Sequence, residues 1–241
     1  MRFNFTTQQL NSCGCRAAAA ATKQITTKFN LATHYINNKK IDLRQTLTDI
    51  KQLDLAKSYT YAEYLTWRFS EMVELIKGKV FAMSPVPSRK HQEVSALLTT
   101  QFVNLLYGTA CKVFAAPFDV RFPTEGKTSP EKIQTVVQPD ICVICDLSKL
   151  DERGCLGAPD LVVEILSPAT SSKDLHEKYD LYEKFLVKEY WVVHPNDGTV
   201  LVYSLDEQNR YRPSKLFGVS DSILSSVIQN SEVSLSRIFL D

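Results

Sequence analysis

A layered α/β fold, with a mixed sheet covered by helices, is what this sequence predicts on three observations. Two apolar runs, 135–145 (TVVQPDICVIC) and 160–167 (DLVVEILS), are continuous enough to be central strands buried on both faces. Two segments read as helices: 88–107 from apolar residues at helical spacing, and 171–187 from a capping-type start. Helix, strands, helix and strand then follow one another in the order of an α/β layer structure. The composition agrees with it. The chain has 241 residues, 44% apolar and 23% charged, with 8 glycines, which excludes collagen-like, disordered and disulfide-scaffold classes. No stretch approaches the roughly 18 consecutive apolar residues that cross a bilayer, so no membrane partner is expected. Six cysteines in a chain of this length make no framework, and a reducing, cytoplasmic setting is the simpler expectation.

The first 57 residues differ from the rest. They carry nine Lys/Arg against three acids, whereas the other 184 carry nineteen against twenty-four. An alanine run spans Ala17 to Ala21, and Cys13-Gly-Cys15 lacks the second half of a zinc site. Residues 1–57 are expected to be a basic, poorly ordered extension and residues 58–241 the folded domain. A targeting peptide is a weaker reading of the same composition.

The elements follow in order. Thr60-Tyr-Ala-Glu63 has capping-box spacing and opens a short helix with Tyr64, Leu65, Trp67 and Phe69 to bury. Val73 to Met83 reads as a hairpin turning at Lys77-Gly78. In the long helix, Val94, Leu97, Leu98, Phe102, Leu105 and Leu106 recur at helical spacing, and Gly108 ends it. Lys112 to Ala115 and Phe118 to Phe122 are strands split by Pro117; 124–134 is a polar loop. After the second helix come a strand at 189–194, a turn at Pro195-Asn-Asp-Gly198, a strand at 199–205 and a pairing partner at 211–217. The tail, 223–239, packs its scattered aliphatics along the body.

Two carboxylates stand inside the apolar strands, where an acid is costly unless paired, hydrogen-bonded or metal-bound. Asp140 follows Pro139, and Glu164 occupies the middle of DLVVEILS. Neighbouring strands would bring them together, and paired hard carboxylates with open water positions are what Mg²⁺ requires. Two structural salt-bridge partners are the alternative. Asp174, Lys178 and Tyr182 form an i, i+4, i+8 stripe on the following helix, from which a lysine could reach the same place. Weaker candidates are His91 at a helix start, Asp160 as a rival acid after Pro159, and Arg121, Lys127 and Lys173 as phosphate contacts. Cys142 and Cys145, three apart on a strand, read as core filling, and Tyr190 and Trp191 as sheet packing.

The ordered series resembles the PD-(D/E)XK nuclease superfamily, and more closely its Uma-type restriction endonuclease family. The matching pieces are VELIKGKVFAMSP with His91 shortly after, QPDICVI, and APDLVVEILSPATSSKDLHEKYDLYEKF running on into EYWVVHP. They cover about residues 58–240. The resemblance implies a restriction-endonuclease-like mixed sheet flanked by helices (helix, three strands, helix, strand) with extra hairpins. It also implies a cytoplasmic homodimer that cleaves DNA with Mg²⁺, for which Mn²⁺ would substitute. By the same resemblance Asp140, Glu164 and Glu74 are the metal ligands, with Lys178 and His91 completing the catalytic set. The usual ExK lysine would fall at residue 166, which is Leu166; the resemblance takes the lysine from the next helix, at Lys178. The alternative is a nuclease-fold module that has lost catalysis and binds DNA or protein.

Overall fold

The structure, a computed structural model, describes residues 35–36, 39–40, 46–83, 87–167, 172–228 and 231–239, with the backbone alone at 35–36, 39–40 and 172–174. It forms two units, Met1–Thr46 and Leu47–Asp241. In the first, β1 (Tyr35–Ile36) and β2 (Lys39–Lys40) form a short antiparallel ladder. The Cys13–Cys15 pair and the alanine run lie outside the described residues. In the second unit, Leu47, Ile50 and Leu53 pack with Tyr59, Tyr61 and Trp67. The body therefore begins at Leu47, upstream of the expected boundary at Lys57.

Glu63 accepts from the Thr60 N–H at 3.0 Å, capping helix α1 (Tyr61–Tyr64) as its spacing predicts. Its aromatic neighbours pack together: Trp67 stacks on Phe69, meets Tyr59 edge-on and lies tilted against Tyr64. The hairpin of β3 (Val73–Ile76) and β4 (Lys79–Ala82) turns at Lys77 and Gly78, both at positive φ. Only glycine fits the second position, because a Cβ there would stand 2.0 Å from Ser58 Oγ. β3 continues into a six-stranded sheet with β6 (Val120–Arg121), β7 (Val136–Val137), β9 (Leu150–Asp151) and β10 (Gly154–Leu156), ordered β4-β3-β7-β6-β10-β9.

A second six-stranded sheet holds β5 (Lys112–Ala115), β8 (Ile141–Ile144), β11 (Leu161–Ile165), β12 (Glu189–His194), β13 (Thr199–Leu205) and β14 (Tyr211–Pro213). Its order is β14-β13-β12-β11-β8-β5, with β11 and β12 parallel and the other pairs antiparallel. The run 135–145, expected as one strand, is divided between the two sheets: β7 belongs to the first and β8 to the second. The break has a local cause. Pro139 has no N–H for a ladder, and the Gln138 N–H is taken by Glu74 Oε1 at 2.9 Å. Asp140 sits at the corner this makes.

Period-two alternation sorts the second sheet into two faces. Leu161, Val163 and Ile165, with Trp191 and Val193, meet helix α2 (Arg89–Leu105) through Val94, Leu98 and Phe102. The C-terminal hairpin, β15 (Ser222–Ser225) and β16 (Ser231–Ser234), adds Ile223 and Val233 to that layer. Val162, Cys142, Tyr190 and Val192 face the other way, toward helix α3 (Ser172–Lys184) and residues such as Val120 and Val137 of the first sheet. Glu164 shares this second face. Among the described residues no helix is long and apolar enough to cross a membrane.

The cysteines depart from expectation in one respect. Cys142 and Cys155 are buried and free, but Cys145 is bonded to Cys111 across the β5–β8 edge. Cys145 is thus a cross-strand link and not core filling. Two strands, β6 and β7, lie between β5 and β8 in the chain, so no local spacing announced the pair.

Candidate active site

Three acids converge where the two sheets meet α3. Antiparallel pairing sets Val163 opposite Ile141, so Asp140 and Glu164 come next to each other just beyond the ladder. Asp140 Oδ2 accepts the Ile165 N–H at 2.7 Å, and its Oδ1 lies 3.2 Å from His91 Nε2. His91 reaches it from the first turn of α2, which Ser88 caps by accepting the His91 N–H. The bond to Asp140 raises the His91 imidazole above its ordinary value despite burial.

Glu164, on β11, is 7% exposed and Glu74, on β3, is 5% exposed. Lys178 joins them from α3. Its Nζ lies 2.9 Å from Glu164 Oε1 and 3.0 Å from Glu74 Oε1. One turn on, the Tyr182 hydroxyl donates to the same Glu164 oxygen at 2.6 Å. The stripe seen in the sequence therefore delivers two of its members, Lys178 and Tyr182, to one carboxylate. The Asp174 side chain lies outside the described residues.

The electrostatics follow from burial and crowding. Burial pushes Glu164 above the ordinary carboxylate range; Lys178 pulls it down, while Asp140 and Glu74 push it up. Burial alone would discharge Lys178, but Glu164 and Glu74 outweigh it and hold its ammonium well above the ordinary lysine value. Two carboxylates thus share one lysine, with the Asp140 carboxylate beside them. Hydrogen-bonding capacity is also left unspent. Among the described residues four buried side-chain polar atoms lack a partner: His91 Nδ1, Gln138 Oε1, Tyr190 OH and Thr99 Oγ1. His91 touches Asp140 and Tyr190 shares the Glu164 face, whereas the Gln138 amide lies with Asp119 and Tyr64. Such groups are normally satisfied, and two of the four, His91 Nδ1 and Tyr190 OH, gather here.

The profile of the Uma2 family, described as "Putative restriction endonuclease", matches residues 61–236. The chain belongs to the Uma2 family. Its match takes in Glu74, His91, Asp140, Glu164 and Lys178. This Uma2 chain is 29% identical over 144 residues to an uncharacterized protein of Synechocystis, across 58% of its own length and 71% of the relative's. It is also similar to a crystal structure described as a putative nuclease from Anabaena variabilis, with a TM-score of 0.59 at 20% identity, covering 75% of this chain and 97% of that one. That likeness speaks for the fold, which is of the restriction-endonuclease-like class.

Of the weaker candidates, His91 joins the site, the Lys173 side chain lies outside the described residues, and Asp160, Arg121 and Lys127 are engaged elsewhere. Asp160 accepts from the Cys145 N–H at 2.7 Å and from Lys188 Nζ at 2.7 Å, tying strand ends together. Arg121 is 4% exposed and committed to Asp151 and the Cys155 carbonyl, so it meets no phosphate. Lys127 pairs with Glu125. Sequence reasoning missed Gln138. Its backbone N–H holds Glu74, and its side chain donates to Asp119 at 2.8 Å and to Tyr64 OH at 3.2 Å. Its position before Pro139 was the available signal.

Proposed function

We propose that the protein is a Mg²⁺-dependent endonuclease that hydrolyses DNA phosphodiester bonds. The observation that carries this reading is the convergence of Glu164 of β11 and Glu74 of β3 on Lys178 of the following helix, with Asp140 beside Glu164 at the corner before β8. The family description and the nuclease-like neighbour support it. As the side chains stand, no three His, Cys, Asp or Glu among the described residues form a metal cage. The donor chemistry nevertheless fits a hard cation. Three carboxylates exceed the charge of one ammonium, and unpartnered polar atoms border them.

Asp140 and Glu164 would hold the cation, with Glu74 supporting it. When bound it would polarise the phosphate and acidify the attacking water. The chain's own residues have separable tasks. The Ile165 N–H and His91 fix the Asp140 carboxylate in orientation. Tyr182 and Lys178 do the same for Glu164. The Lys178 ammonium, kept protonated by its neighbours, is a charge available to the phosphate as negative charge builds on it.

One observation favours a second reading, a nuclease-fold binding module without catalysis. Lys178 already bridges Glu74 and Glu164, neutralising part of the charge a cation would meet. Calorimetry with Mn²⁺ and a cleavage assay on plasmid and single-stranded DNA separate the two. Metal-dependent cutting that Asp140→Ala abolishes supports the enzyme. DNA binding with no cutting in Mg²⁺ or Mn²⁺ supports the module.

A further inference from the structure

Tyr190 was expected to be sheet packing, and its ring is indeed packed. It lies edge-on to Tyr182, with centroids 5.0 Å apart, and stacks with Tyr203 at 5.8 Å. Packing accounts for the ring but not for the hydroxyl. The residue is 1% exposed, and its oxygen has no hydrogen-bond partner. A buried tyrosine hydroxyl normally finds one, because stripping it of water without replacement is costly.

Its position says which way to look. Tyr190 pairs with Val162 in the parallel β11–β12 ladder, while Glu164 pairs with Val192 two residues on. Tyr190 and Glu164 are therefore diagonal neighbours on one face, under α3. Tyr182, which Tyr190 touches, spends its own hydroxyl on Glu164. The charges of Glu164, Lys178 and Asp140 all act on the Tyr190 phenol, which burial keeps protonated. No carboxylate takes its hydrogen bond, although it borders a site crowded with them.

We propose that the Tyr190 hydroxyl is the partner of a water carried by the divalent cation at Asp140 and Glu164, and so is a positioning residue for that hydrated ion. The proposal rests on the metal-site reading above. Its chemistry suits the role. A phenol accepts and donates, a fixed ring holds it in place, and a hard cation retains several waters that are strong donors. Groups one bond beyond the ligands typically govern metal affinity by about 10- to 100-fold.

The test is Mn²⁺ calorimetry on the full chain as wild type, Tyr190→Phe and Asp140→Ala, with melting curves of each in EDTA. Tyr190→Phe is expected to bind Mn²⁺ about 10-fold or more weakly, while melting in EDTA at or slightly above the wild-type temperature, since it loses no bond and one buried orphan disappears. Wild-type affinity in Tyr190→Phe, alongside lost affinity in Asp140→Ala, overturns this proposal and leaves the metal site standing. Wild-type affinity in Asp140→Ala overturns both. A marked fall in the EDTA melting temperature of Tyr190→Phe also overturns it, because the hydroxyl would then be bonded within the metal-free fold.

Discussion

Glu164 and Glu189 lie on adjacent strands of one sheet, both buried, yet their surroundings are opposites. Glu189, 2% exposed, accepts from Trp191 Nε1, Ser225 Oγ, the Ser226 N–H and Ser226 Oγ, at 2.6–3.1 Å. Its two oxygens are met by four neutral donors, and through them it clamps the C-terminal hairpin to the sheet. Glu164 instead shares a lysine with Glu74, feels Asp140 beside it, and borders hydroxyl and imidazole atoms with nothing to bind. On the proposed function, the contrast teaches how to tell a structural buried acid from a catalytic one. The first has its partners within the chain; the second is left in competition for too few.

Mutation can break or sharpen that contrast. The largest effect is expected from Asp140→Ala and Glu164→Ala, which should abolish cleavage and Mn²⁺ binding while leaving a cooperative melt. Unchanged Mn²⁺ affinity in calorimetry would make Glu164 as structural as Glu189. The mirror case comes next. Glu189→Ala should lower the unfolding free energy by about 3–5 kcal/mol, since it orphans several buried donors and opens a cavity. Urea denaturation measures this, and Mn²⁺ affinity per folded molecule should not move.

Lys178→Ala should slow single-turnover cleavage by about 10²-fold, the scale of a lost charge-stabilising group. Adding Leu166→Lys, which restores an ammonium on the Glu164 face, should recover part of it. A Lys178→Ala variant that cuts at the wild-type rate would reduce the lysine to an ion-pair partner. The smallest effect is Tyr182→Phe. It removes one hydrogen bond to a charged group and should cost about 1.5–2 kcal/mol in urea unfolding, with a small change in cleavage rate.

Much of this was readable before any coordinates. Continuous apolar runs marked β8 and β11, and period two placed Glu164 on one face with Val162. An i, i+4 stripe pointed Lys178 and Tyr182 in a common direction. What stayed hidden depended on partners distant in the chain. Whether 135–145 stayed one strand turned on Glu74, 64 residues upstream of the Gln138 N–H it captures. The Cys111–Cys145 link needed the β5–β8 register. Leu53 looked like part of a featureless extension because its neighbours in space, Tyr59 and Trp67, belong to another segment. Tyr190 read as packing because a ring's environment follows from strand pattern, whereas the fate of its hydroxyl depends on what stands above the sheet.

Lys178 ties a glutamate of one sheet to a glutamate of the other, and it comes from the helix that follows both strands. A lysine in the usual ExK position would share a strand with its acid and would be in hand as soon as that strand formed. Here the cluster comes into being only when β3, the Asp140 corner, β11 and α3 have all been synthesised and closed upon each other. A nascent chain still tethered to its ribosome before α3 emerges holds the acids without their shared cation. On the proposed function, any activity would wait until α3 has been made and has closed on the strands before it.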